Sequence, residues 1–364
     1  MRITLDATPL LGPRTGVGRY TERLLNSLPA AVLRRGAGVE LRVSTWTARG
    51  GRLADLPAGV RQVGPRVPAR GLRACWRRLD LPPIEALVGP TDIFHGTNFV
   101  SPPTLRAREL VTIHDLTYEL HSVTVAPRSL QYRSLVSRSL RRGAMVLTPT
   151  NAVADAVREF YGLPADRVRA TVLGVDAEWF DAAPAPAAWL AERGLPADYL
   201  VFVGALDPRK NLPRLLEAHR RLRALDSGAP DLIFAGPAGR ETRLDAQPGV
   251  HVTGWLADED LRALVAGSRA LLLPSLDEGF GLPVLEALAT GRPVVISNIP
   301  ALREVAGPHG LHADPLNVES LADTLAQVLC VPDDDPARTA RRAWAARFTW
   351  AACADRTLDA YLDA

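Results

Sequence analysis

The chain holds one lysine. Every other cation is an arginine, and 43 basic residues stand against 40 acidic ones over 364 residues, a net charge of +3. So small an excess does not point to nucleic acid as a partner. Cysteine is nearly as scarce: Cys75, Cys330 and Cys353 are scattered and odd in number, which argues against a disulfide framework and against a zinc cluster. No apolar run approaches the length of a bilayer span, and the opening Arg2-Ile3-Thr4-Leu5 reads as a strand, not as a signal peptide. A cytoplasmic protein is the expectation. The lysine itself then becomes informative. Where arginine serves everywhere else, a lone ammonium at Lys210 marks a position that needs a compact charge, because the planar guanidinium fork is not interchangeable with it.

What is present is an alternation of short apolar runs and helical patterns. Runs at 2–5, 39–46, 92–95, 110–113, 145–148 and 169–173, then at 199–204, 232–236, 250–255 and 270–273, predict buried strands of parallel α/β sheets. The length is too great for one ordinary core. An Ala/Pro stretch at 181–186 reads as a stiff linker, which divides the chain into domains over 1–180 and 181–346 with a final helix over 347–364. Asn151 and Asp258 stand where helix N-caps belong. The acidic run 333–335, set between Pro332 and Pro336, reads as a solvated turn and not as a metal site.

Three further features bear on chemistry. A Gly-rich loop with Gly16 and Gly18 separates the first strand from an amphipathic helix, and such a loop allows close backbone approach to a phosphate. His114-Asp115 follows a strand, at the end where doubly wound sheets bind ligands. Two basic stretches, 66–78 and 128–142, each place five arginines among apolar residues at near-helical spacing. Each is either a solvated helix with one core face or a surface for an anionic membrane, where basic amphipathic helices adsorb.

The densest signal is 274–290. A buried run precedes it, Pro283 suits the first turn of a helix and Gly291 its C-terminal end. The amides of Gly279, Phe280, Gly281 and Leu282 open that helix, so orphan donors and the helix dipole face one point, a ready anion site. Glu278 lies in the loop. Glu286 sits one turn in and leans back toward the helix start, where it can accept from a hydroxyl pair such as a ribose diol. An anion cradle beside a diol acceptor describes a nucleotide-sugar site.

Glu278-x7-Glu286 in this setting resembles the signature of family 4 glycosyltransferases, retaining enzymes of the GT-B fold with two Rossmann-like doubly wound α/β domains facing a cleft. The stretch 290–298 and Glu304-Val305-Ala306-Gly307 extend the likeness, with Arg303 where a proline commonly stands. The resemblance implies transfer of a hexose, mannose or glucose, from a nucleotide diphosphate sugar to a hydroxyl of a glycan or lipid-linked acceptor, with no cofactor and no metal. It assigns Gly16, Val17 and Gly18 to a loop facing the donor diphosphate, Lys210 to the phosphate-clamping lysine, and Gly254 and Trp255 to the nucleobase pocket. It gives His114, Lys210 and Glu278 catalytic places. Ala205 occupies the usual arginine position, which leaves Arg209 either to supply the second cation or to point to solvent. The last segment resembles the family's terminal helix that crosses back onto the first domain. A sugar-nucleotide 2-epimerase and a non-catalytic nucleotide-sugar scaffold share this plan and stand as the rival readings.

Overall fold

The computed structural model describes residues 1–12, 14–48, 52–239 and 247–364. The chain forms two compact units, one of Met1–Gly174 with Thr349–Ala364 and one of Val175–Phe348.

The first unit carries seven parallel strands: β1 (Arg2–Asp6), β2 (Glu40–Ser44), β3 (Arg61–Gln62), β4 (Ile93–Gly96), β5 (Arg108–Thr112), β6 (Met145–Thr148) and β7 (Val168–Ala170), in the order β3-β2-β1-β4-β5-β6-β7. The chain winds outward from β1 to β3, then returns to β1's other side at β4. That reversal is the topological switch point, where side chains at the carboxyl ends can diverge to leave a crevice. The strands are apolar on both faces because helices cover both. The helix Ala69–Arg78 buries Leu72 and Trp76 in a cluster with Trp46, Phe94, Val100 and Leu135.

The second unit repeats the plan with six parallel strands: β8 (Tyr199–Val203), β9 (Asp231–Ala235), β10 (Val250–Gly254), β11 (Leu271–Leu273), β12 (Val294–Ser297) and β13 (Gly310–Ala313), in the order β10-β9-β8-β11-β12-β13. Its switch point lies between β8 and β11, which meet at Leu271 and Val201. The Ala/Pro stretch at 181–186 lies inside this unit, and the Ala185 amide donates to the Ala263 carbonyl at 3.0 Å.

Helix Trp350–Asp363 belongs to the first unit. It packs along helix Gly16–Arg35, where Asp355 takes Arg34 at 2.7 Å and Asp359 takes Arg35 at 2.5 Å.

Several local expectations need correction. Thr150, not Asn151, caps helix Asn151–Tyr161, its hydroxyl accepting from the Val153 amide at 3.1 Å. Ala257 precedes helix Asp258–Gly267, so Asp258 is its first residue, where a carboxylate still complements the helix dipole. Asp333 is no solvated turn. Arg292 and Arg338 each reach it at 2.7 Å and Arg341 at 3.1 Å, and despite the burial that would raise it, these partners hold its carboxyl below the usual range.

Candidate active site

In the second unit, the sequence features converge on the switch point. β8 leads through Gly204 to a single 3-10 turn, Pro208–Lys210, so Lys210 does not open the next helix as its position suggests. Asn211 follows in the left-handed region at φ 61°, and helix Leu212–Leu225 begins after it. β11 leads to Ser275 and Glu278. The two exits are stitched together: the Leu276 amide donates to the Arg209 carbonyl at 2.9 Å, and Arg209 Nη1 donates to the Asp277 carbonyl at 2.5 Å.

Glu278 is the centre of this junction. Only 8% of its surface is exposed. Its Oε2 accepts from Arg209 Nη1 at 2.8 Å, its Oε1 accepts from the Ser275 hydroxyl at 2.8 Å, and Lys210 Nζ also binds Oε1. Burial alone would raise its pKa, but the guanidinium and the ammonium outweigh it and hold the carboxyl at about 2. Glu278 is therefore an anion across the whole working range of pH. Two cations share this one carboxylate.

Helix Leu282–Ala289 starts beside it, with Pro283 in its first turn. Gly281 at its N-cap takes φ 87°, and a Cβ there would lie 2.5 Å from the Leu302 side chain. Only glycine fits both the angle and the approach. Phe280 is buried and lies edge-on to Phe348 at 6.3 Å. Glu286, 3% exposed, sits in the helix's second turn. Gly254 ends β10 at φ 72°, and the adjacent Trp255 is 51% exposed. The Arg209–Lys210–Glu278 cluster, Glu286 and the Gly254–Trp255 turn thus follow the ends of β8, β11 and β10.

In the first unit, Gly16, Val17 and Gly18 form the first turn of helix Gly16–Arg35. His114 is half-buried after β5. Its Nε2 meets the Thr97 carbonyl at 2.8 Å, so that nitrogen carries the proton and donates. Burial lowers its pKa although Thr97 and Asp115 act to raise it, which favours a neutral ring whose Nδ1 is an acceptor. The Tyr20 and Phe99 rings stand edge-on to it at 5.1 and 5.4 Å.

Three features beneath these residues escape sequence reasoning. Ser275, fully buried, orients Glu278; its one signal is a hydroxyl three residues ahead of the glutamate. Asn211 bonds the Pro274 carbonyl at 3.1 Å and the Pro315 carbonyl at 2.7 Å, tying three loops together. The third is a buried chain in the first unit. Tyr361 hydroxyl meets His95 Nδ1 at 2.7 Å, His95 Nε2 meets the Thr112 hydroxyl at 2.7 Å, and Thr112 meets the Tyr20 hydroxyl at 3.0 Å. Burial and the nearby His114 hold His95 at about 3, so it is neutral.

The basic stretch 128–142 is also altered. Arg133 pairs with Glu119, Arg138 with Asp80, and Arg142 with both Asp80 and Glu109, so three of its arginines have partners within the unit. No helix among the described residues is long and apolar enough to cross a membrane.

Comparison with known proteins agrees with this geometry. The family description "Glycosyltransferase Family 4" matches residues 14–179, and "Glycosyl transferases group 1" matches 197–330. The chain is 30% identical to the O-antigen chain mannosyltransferase B of Escherichia coli over 99% of each chain. It is 33% identical to a Mycobacterium tuberculosis glycogen synthase over 70% of this chain and 62% of that one. Among solved structures, sucrose-phosphate synthase from Thermosynechococcus elongatus superposes with a TM-score of 0.75 at 18% identity, over 100% of this chain and 98% of that one. The two parallel sheets follow the GT-B plan, and the chain belongs to the family 4, group 1 glycosyltransferases.

Proposed function

We propose that the second unit binds a nucleotide diphosphate hexose and that the hexose, mannose before glucose, passes with retention to a hydroxyl of a glycan or lipid-linked acceptor. The Arg209–Glu278–Lys210 cluster at the β8/β11 switch point carries this reading, because it holds two cations in place at the carboxyl ends of those strands. That the Escherichia coli relative is a mannosyltransferase favours mannose. In the step itself the bond from the anomeric carbon to the diphosphate oxygen breaks, a bond to the acceptor oxygen forms, and the departing diphosphate takes the acceptor's proton. Lys210, Arg209 and the amides of 279–282 stabilise the charge that develops on the leaving group. Glu286 accepts from the ribose diol, and Gly254 and Trp255 bound the base. Arg209, already on Glu278, fills the role left open by Ala205. For the first unit we propose an anion contact at Gly16, Val17 and Gly18, and acceptor binding near His114, whose Nδ1 can take a hydroxyl proton in a hydrogen bond. A lipid-linked acceptor would bring this unit to the inner face of an anionic membrane as a peripheral protein.

A panel of nucleotide diphosphate hexoses, read by thermal shift and by mass detection of transferred hexose, tests the reading. A ligand of the folded state raises the unfolding midpoint. Glu286→Gln should weaken the same donor by roughly 1.5–3 kcal/mol, the worth of a charged hydrogen bond. A panel in which no nucleotide raises the midpoint overturns the assignment.

A further inference from the structure

The edge of the first unit around the end of helix Ala69–Arg78 combines two properties that seldom occur together on a solvated surface. Leu79, Leu81 and Leu105 are 59%, 60% and 72% exposed. They come from two segments held side by side: the Ile84 amide donates to the Pro103 carbonyl at 2.8 Å, and the Leu105 amide donates to Glu85 at 3.0 Å. Scattered exposed leucines need no explanation, but three on one edge form a patch.

The charges around them are one-sided. Asp80 is held by Arg138 and Arg142 at 2.8 and 2.9 Å. Glu85 accepts the amides of Leu105, Arg106 and Ala107 at 2.9–3.0 Å. Glu109 takes Arg142 through both oxygens. The acids of this edge are thus satisfied from within. Arg77, Arg78 and Arg106, which flank the leucines, have no ion pair among the described residues. Arg77 and Arg78 are exposed and cannot turn inward, because Leu72 and Trp76 fix the helix's other face in the core.

We infer that this edge docks on an anionic bilayer, with Leu79, Leu81 and Leu105 entering the acyl boundary and Arg77, Arg78 and Arg106 lying at the lipid phosphates. The inference rests on the proposal of a membrane-held acceptor and names the surface that meets the membrane. Apolar insertion and charge attraction act together, as for an interfacial helix. The contact moves away from the arginines of 128–142, which are largely engaged elsewhere.

The test uses the full chain with phosphatidylcholine vesicles, plain or doped with phosphatidylglycerol, at low and high salt. Wild type should float with the doped vesicles only, and part of that binding should survive high salt, because insertion is not screened. Replacing Arg77, Arg78 and Arg106 by Gln should weaken binding about fivefold for each arginine at low salt. Replacing Leu79, Leu81 and Leu105 by Ser should leave low-salt adsorption but remove at least a tenfold share of the binding that survives salt. Equal binding of this leucine variant and wild type at both salts overturns the insertion. Equal binding to plain and doped vesicles overturns the role of the arginines. A leucine variant that turns from dimer to monomer in sedimentation, with vesicle binding unchanged, makes the edge a contact between copies and overturns the inference. Donor binding is the separate control: if nucleotide sugars still raise the midpoint while no vesicle binds wild type, the docking fails and the donor assignment stands.

Discussion

The two units solve the same topological problem with opposite chemistry. In the first, a chain of buried polar side chains is joined by neutral hydrogen bonds, Tyr361 to His95 to Thr112 to Tyr20. In the second they are ions, with Glu278 between Arg209 and Lys210. A neutral chain fixes geometry and offers a ligand no net charge. An ion cluster of odd count fixes geometry and also leaves a field. The difference suits the proposal that the first unit receives a hydroxyl compound and the second holds a diphosphate.

Removing the shared anion should have the largest effect. Glu278→Gln removes the buried anion that two half-buried cations share, and breaking a buried pair costs up to roughly 3–5 kcal/mol. Thermal unfolding should show this loss, and a nucleoside diphosphate should restore more of it than the same ligand adds to wild type, because the ligand replaces the missing charge. A variant as stable as wild type would show that the cluster does not hold the unit together.

Lys210→Arg keeps the charge and changes its shape. Turnover should fall by about 2–4 kcal/mol of transition-state stabilisation, the scale of one lost oxyanion donor, with the unfolding midpoint nearly unchanged. Wild-type rates would mean that charge alone matters and that the solitary lysine is incidental.

The neutral chain should respond more mildly. Tyr361→Phe leaves His95 Nδ1 without its partner, a loss of roughly 1–3 kcal/mol. Chemical denaturation should show that this loss does not vary with salt, unlike any change at the ion cluster.

The last effect concerns pH. Burial holds His95 at about 3, while an unfolded imidazole titrates near 6.5. Its contribution is full above 6.5 and is lost as pH falls toward 3, at up to about 1.4 kcal/mol per pH unit. Asp6 runs the other way. Burial raises it to about 6 against the lowering from Thr8 and Arg73, so its contribution is present below the unfolded value and lost as pH rises through 6. Between about 6 and 3.8 the two oppose each other. Asp6→Asn should therefore steepen the fall of stability over that window, as measured by denaturant midpoints at stepped pH. A profile no steeper than wild type would remove one of the two groups from the balance.

The sequence makes the ion cluster far more legible than the neutral chain. Glu278 and Lys210 stand out as charged residues just beyond buried apolar runs, and the fold brings the two together. The strands are legible for a similar reason: burial on both faces demands continuous apolar runs. His95 and Tyr361 are 266 residues apart, and nothing local to either names the other. The charge runs mislead for the same reason. Asp333 and Arg138 look solvated until partners arrive from Arg292 and Asp80, which only the fold brings near. The helix cap between Thr150 and Asn151 is decided by one residue, since both side chains cap well.

Helix Trp350–Asp363 carries a consequence for the order of assembly. It supplies Tyr361 to the first unit, yet the ribosome makes it only after the whole of Val175–Phe348. During synthesis the first unit must wait with His95 short of one partner and the flank of helix Gly16–Arg35 uncovered, while the second unit has all its residues in hand. The unit begun first is thus completed last, which reverses the usual progress of domains along a nascent chain.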